Sequence, residues 1–122
     1  MYRQRIDIDP VAAARARVSK TYGTFTPAKY AKFKQDLAIL WKGPRSGKEM
    51  TMRFYFPVAP SATKKERKEL LEKGMHRFKP DIDNLVKAVL DSIIDTDAKI
   101  WSIKAEKVWT EDKHGSIDIE IN

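Results

Sequence analysis

The chain has 122 residues, 42% of them hydrophobic, with three Trp, four Tyr and five Phe; that length and apolar content fit one packed domain and exclude disorder. With no cysteine and only two histidines, His76 and His114, it can build no disulfide framework, thiolate zinc site, cysteine nucleophile or histidine-rich cage, so any metal must be a hard cation on oxygen ligands. The net charge of +7 divides into +8 over residues 1–48 (eleven basic, three acidic), +4 over 49–80 (eight, four) and −5 over 81–122 (five, ten), a basic two-thirds that suits a polyanion unless it is ordinary scatter on a solvated surface.

Residues 2–8 alternate weakly through Tyr2, Ile6 and Ile8, predicting a strand that stops at Pro10. Ala14–Val18 puts Arg15 and Arg17 at strand spacing, on one face if the chain is extended. There they suit backbone phosphates, or equally a solvated edge. Thr26-Pro27 predicts a helix start that runs to about Trp41. Tyr30, Phe33, Leu37, Leu40 and Trp41 form its apolar stripe, Lys29, Lys32 and Asp36 lie outside, and Gly43-Pro44 ends it. Gly43–Lys48 has a superficial likeness to a phosphate loop but lacks the spacing and the preceding strand, so no organic cofactor is expected.

Residues 49–58 alternate cleanly, Met50, Met52, Phe54 and Phe56 against Thr51, Arg53 and Tyr55, which predicts a half-buried strand closed by Pro57 and Pro60. Thr63-Lys64-Lys65-Glu66 is a capping box that opens a short charged helix to about Lys73, stopped by Gly74. Over Asp81–Ile94 the period is helical: Leu85, Val86, Val89, Leu90, Ile93 and Ile94 crowd one side, and Asp83, Lys87 and Asp91 form a polar ridge. A strand near Lys99–Trp109, a Lys113-His114-Gly115 turn and an alternating strand Ser116–Ile121 predict a terminal hairpin. Trp41, Trp101 and Trp109 read as core. The whole reads as one α+β domain over residues 1–122, a mixed sheet packed by about three helices. No apolar run approaches the roughly 20 residues of a membrane span, and Met1–Arg5 lacks a signal's apolar stretch, so a cytoplasmic protein without a membrane partner is expected.

Lys79-Pro80-Asp81-Ile82-Asp83-Asn84 sets two carboxylates two residues apart, where a proline keeps the chain extended just before a helix. So placed, Asp81 and Asp83 point the same way and repel, unless a divalent cation lies between them. Asp97 could join them only if the chain folds back towards the helix start. Plainer readings stand beside this one. Asp and Asn at a helix start are ordinary caps, favoured by the helix dipole. Lys87 could form an i, i+4 ion pair with Asp83 or with Asp91 rather than hold a phosphate. Lys79 adds positive charge directly before the pair, and His76 is either a phosphate contact or an incidental loop residue.

The run Lys79–Ile93, followed by Thr96-Asp97-Ala98-Lys99-Ile100, resembles the signature of the RusA family of Holliday-junction resolvases. That signature is a Pro-Asp-x-Asp-Asn helix start, a lysine one turn on, a further Asp, and a downstream acidic element. Ala14–Val18, Thr26-Pro27 and the strand-then-basic-helix of 50–73 extend the resemblance over nearly the whole chain. It implies a RusA-like fold and a homodimeric endodeoxyribonuclease that uses Mg²⁺, with Mn²⁺ as a substitute. Each subunit would nick one of two opposed strands of a four-way DNA junction through a metal-activated water. Asp81, Asp83 and Asp97 match its metal ligands and Lys87 its catalytic lysine, while Asn84 is given a structural role at the helix start. Arg15, Arg17, Lys79 and His76 are the candidates to touch DNA. Two features depart from the pattern: the connection Ile93-Ile94-Asp95-Thr96 between helix and downstream acid is short, and an acid is missing. The usual acid pair reads Thr96-Asp97, so one carboxylate is absent, and the alternative is a branched-DNA-binding member of the family with an impaired site.

Overall fold

The computed structural model describes all residues except 16 and 20–22, with side chains described outside 16–25. Along the chain run β1 (Tyr2–Ile6), a short antiparallel pair β2 (Arg17–Ser19) and β3 (Gly23–Phe25), α1 (Ala28–Leu40), β4 (Glu49–Pro57), α2 (Lys64–Lys73), α3 (Ile82–Ile93), a single 3-10 turn (Asp97–Lys99), β5 (Ser102–Thr110) and β6 (Ser116–Ile121). The main sheet has the order β1-β6-β4-β5. It is mixed and packed by helices, an α+β domain.

The terminal hairpin does not form. β6 lies between β1 and β4, antiparallel to both, and β5 pairs with β4 alone, in parallel. The reason is burial. Ile117, Ile119 and Ile121 are buried on the helix side of β6, and Asp118 is buried on the other. Only a central strand covers both faces in this way, whereas an edge position would leave three isoleucines partly in water. A parallel β4–β5 pair needs a crossover, and α2 and α3 supply it.

The core forms where α1 and α3 meet the sheet. Tyr30, Phe33 and Leu37 of α1 and Leu85, Ala88, Val89 and Ile93 of α3 pack on Met50, Met52, Phe54 and the β6 isoleucines. The α1 stripe stops short of Leu40, which is exposed, because Trp41 already has extended backbone and turns inward instead. Its indole N–H donates to Pro44 O at 3.0 Å, and Tyr2 meets its ring edge-on. Gly43 lies so close to both rings that a Cβ there would collide with them. Pro27 rather than Thr26 is the cap residue of α1. On α2 the capping half of the box forms: Thr63 Oγ1 accepts from Glu66 N at 3.1 Å, and Gly74 ends the helix with φ +75°. Trp101 is not core. It is 74% exposed, one residue ahead of β5 at the open edge of the sheet.

The sheet face turned away from the helices is a charged lattice. Arg3 donates to Asp118 from Nε at 3.1 Å and Nη2 at 2.7 Å, Arg53 pairs with Glu106 at 3.1 Å, and Arg5 sits over the Tyr55 ring. Among the described residues no helix is long and apolar enough to cross a membrane.

Candidate active site

The start of α3 is held in place from β5. Lys107 Nζ donates to Phe78 O at 2.5 Å and to Pro80 O at 2.8 Å. His76 N donates to Lys107 O at 3.0 Å and Trp109 N to Gly74 O at 2.8 Å, so the whole 74–80 segment is tied along the strand. The chain then reaches Asp81 in extended backbone (φ −68°, ψ 139°), and Asp81 O accepts the first helical bond from Leu85 N at 3.2 Å. Asp81 is the cap residue by position, yet its side chain caps nothing. Its carboxylate and that of Asp83, in the first turn, are both exposed beside the positive end of the helix. The plain capping account therefore fails for Asp81.

One turn on, Lys87 reaches forward along the helix. Its Nζ lies 3.2 Å from Asp91 Oδ2, and the same oxygen accepts from Tyr30 OH at 2.7 Å. Tyr30 belongs to α1 and is buried except for this hydroxyl contact. Burial, then the Asp91 carboxylate, push its ionisation well above the ordinary phenol value, so it stays a donor. The apolar-stripe reading of α1 registers the ring of Tyr30 and misses this bond. The available signal was a tyrosine at a core position, whose hydroxyl needs a partner when buried.

Ala13 N donates to Asn84 O at 2.9 Å, which ties the segment before β2 to the first turn of α3; Arg15, two residues on, is exposed. The bond uses the Asn84 backbone carbonyl alone. Lys79 is exposed immediately before the cap. The backbone of Arg17 lies in β2, while its side chain, and so its alignment with Arg15, lies outside the described residues.

His76 is placed differently from the DNA-facing position anticipated for it. It is 7% exposed, stacked on Phe56 at 4.3 Å and packed on Trp109 at 4.4 Å. Burial first, then the charge of Lys107, lower its pKa. The aromatic rings around it leave it no surface from which to meet a phosphate.

Asp97 opens the 3-10 turn beyond the far end of α3, a helix that rises about 18 Å over its twelve residues. That end is anchored by Asp95 N donating to Arg45 O and Trp101 N to Lys48 O, each at 2.9 Å. Among the described residues no three His, Cys, Asp or Glu side chains gather as a ligand set. Asp81, at the cap of α3, and Asp83, in its first turn, are both exposed at the start of the helix, whereas Asp97 lies beyond its other end. Two exposed carboxylates still fit a hard divalent cation, since Mg²⁺ commonly takes one or two protein carboxylates and fills its shell with water and substrate phosphate.

An α+β domain that presents paired carboxylates, a lysine and flanking basic residues at one helix start has the layout of a metal-dependent nuclease. The family model described as endodeoxyribonuclease RusA matches residues 7–122, and the chain belongs to that family of Holliday-junction nucleases. It is also 34% identical over 123 aligned positions to the uncharacterized protein YqaN of Bacillus subtilis (strain 168), covering 85% of this chain and 84% of that one. The chain is accordingly a RusA-type resolvase, from a family that uses a divalent metal and acts on branched DNA as homodimers.

Proposed function

We propose that this chain is a Mg²⁺-dependent endodeoxyribonuclease that resolves four-way junctions by paired symmetric nicks, with Mn²⁺ able to replace Mg²⁺. The reading is supported by Asp81 and Asp83, both exposed at the anchored start of α3, with the Asp81 side chain making no cap bond. When bound there, Mg²⁺ would supply Lewis acidity to a phosphodiester and to the attacking water. Asp81 and Asp83 hold it. The free N–H groups of the first turn of α3 and the Lys87 ammonium offset the charge of the phosphate. Arg15, Lys79 and Arg17 hold the DNA backbone, which positions a strand without reading its sequence. A two-fold dimer offers one such site to each of two opposed strands of a two-fold substrate.

The test is cleavage of a labelled synthetic four-way junction beside linear duplex in Mg²⁺, with Mn²⁺ uptake by the free protein measured in parallel. Paired symmetric nicks confined to the junction are expected. Asp83→Asn should abolish both nicking and Mn²⁺ uptake, whereas Asp97→Asn should lower nicking and leave uptake by the free protein unchanged, because Asp97 stands apart from the pair. Wild-type cutting rates in Asp83→Asn would sink the assignment.

A second reading has two observations in its favour: Thr96 stands where the signature that the chain resembles has an acid, and among the described residues no three acids gather. On that reading the chain holds branched DNA without cutting it, and Thr96→Asp should raise Mn²⁺ affinity and introduce nicking.

A further inference from the structure

Lys87 has two carboxylates in reach along α3, Asp83 one turn before it and Asp91 one turn after it. On an isolated helix the acid-before-lysine pair is the better of the two, because the acid also lies nearer the positive helix end. Lys87 takes the other partner. Its Nζ is 3.2 Å from Asp91 Oδ2 and 3.5 Å from Oδ1.

What sets Asp91 apart is Tyr30. The Tyr30 ring is locked in the core, 4% exposed, and its hydroxyl donates to Asp91 Oδ2 at 2.7 Å. That bond crosses from α1 to α3 and orders the Asp91 carboxylate before any lysine arrives. An acceptor already held in one rotamer costs less entropy to engage than a free one. The intrinsic preference for Asp83 is thereby reversed.

The geometry points to Tyr30 and Asp91 as positioning residues that draw the Lys87 ammonium one turn down α3 and so leave the Asp83 carboxylate open to a divalent cation. This rests on the carboxylate-pair reading given above. An ammonium seated on Asp83 would occupy a ligand oxygen and repel a cation at the same place. Seated on Asp91, Lys87 stays on the same face of the helix, one turn from Asp83, where a phosphate can still meet it. The lysine and the cation are kept from competing for one acid.

Tyr30→Phe removes the hydroxyl and keeps the ring. In metal-free crystals of this variant, Lys87 Nζ should move to ion-pair distance from Asp83; a Lys87 still on Asp91 overturns the inference. In calorimetric titration with Mn²⁺ alone, Tyr30→Phe should bind about two- to fivefold more weakly than wild type, the change expected of an ion pair of this exposure. In a Lys87→Met background the same substitution should have no effect. An equal loss in both backgrounds, or none in either, overturns the inference, because a merely structural role for Tyr30 does not depend on Lys87. A wild-type protein that takes up no Mn²⁺ overturns the carboxylate-pair reading instead, and the crystal readout still decides where Lys87 goes. Should Tyr30→Phe fail to fold, Asp91→Asn, with Asp91→Glu as the rescuing variant, is read by the same two measurements.

Discussion

His76 illustrates how one side chain can link the site to pH. It is buried among Phe56, Phe78 and Trp109, its Nδ1 lacks a hydrogen-bond partner, and burial together with Lys107 lowers its pKa below the ordinary histidine value. A depressed folded pKa means that the unfolded chain binds the proton first. Stability is therefore complete above about pH 6.5, the unfolded value, and is lost as pH falls from there through the folded pKa. Urea unfolding at pH 7.5 and 5.5 should show this drop, and His76→Phe should flatten it. An unchanged pH dependence in His76→Phe would mean that another group carries the effect. Nothing in a lone loop histidine announces such surroundings. Two of the rings that bury it, Phe56 and Trp109, come from strands 20 and more residues away, so its place was legible only once the sheet was assembled.

Among the elements, those whose signals are local were legible and those that depend on partners were not. The capping box of α2, its Gly74 stop, the alternation of β4 and the helical period of α3 all appear in the structure where the residues imply them. β6 was recognised as a strand from Ile117, Ile119 and Ile121 but assigned to the wrong neighbour, because a period of two is the same at the edge of a sheet and at its centre. The carboxylate pair was likewise legible from its two-residue spacing before a helix, and its anchoring was not. That anchoring is the work of Lys107 on β5, which closes on two carbonyls of the 78–80 segment. Lys107→Met keeps the apolar stem and removes both bonds. It should cost about 1–3 kcal/mol of stability in urea unfolding, and it should weaken Mn²⁺ uptake at Asp81, although Lys107 itself touches no ligand. Unchanged uptake in a folded Lys107→Met protein would show that the 78–80 segment needs no such tether.

The charge of the molecule divides the two tasks of a nuclease. The basic excess over residues 1–80 and the acidic excess over 81–122 meet at the start of α3, where Lys79 lies two residues before Asp81 and Lys87 one turn after Asp83. Junction binding in Ca²⁺ should therefore weaken steeply between 50 and 200 mM salt, by about 10³-fold or more if six or more phosphates are neutralised. Arg15→Ala should lower the slope of that dependence by about one without altering the sequences bound. A slope unmoved by Arg15→Ala would remove this residue from the interface.

The central place of β6 also sets an order of events in the making of the protein. β1 and β4 cannot join until the strand between them exists, and that strand follows every other element of the sheet. During synthesis, at about 5–20 residues per second, the first 110 residues can form the helices and the parallel β4–β5 pair, but not the full sheet in which β6 joins β1 to β4. α3 thus acquires its packing on Ile117, Ile119 and Ile121 only when β6 has emerged, and a chain interrupted before Ser116 carries every proposed site residue on an incomplete core.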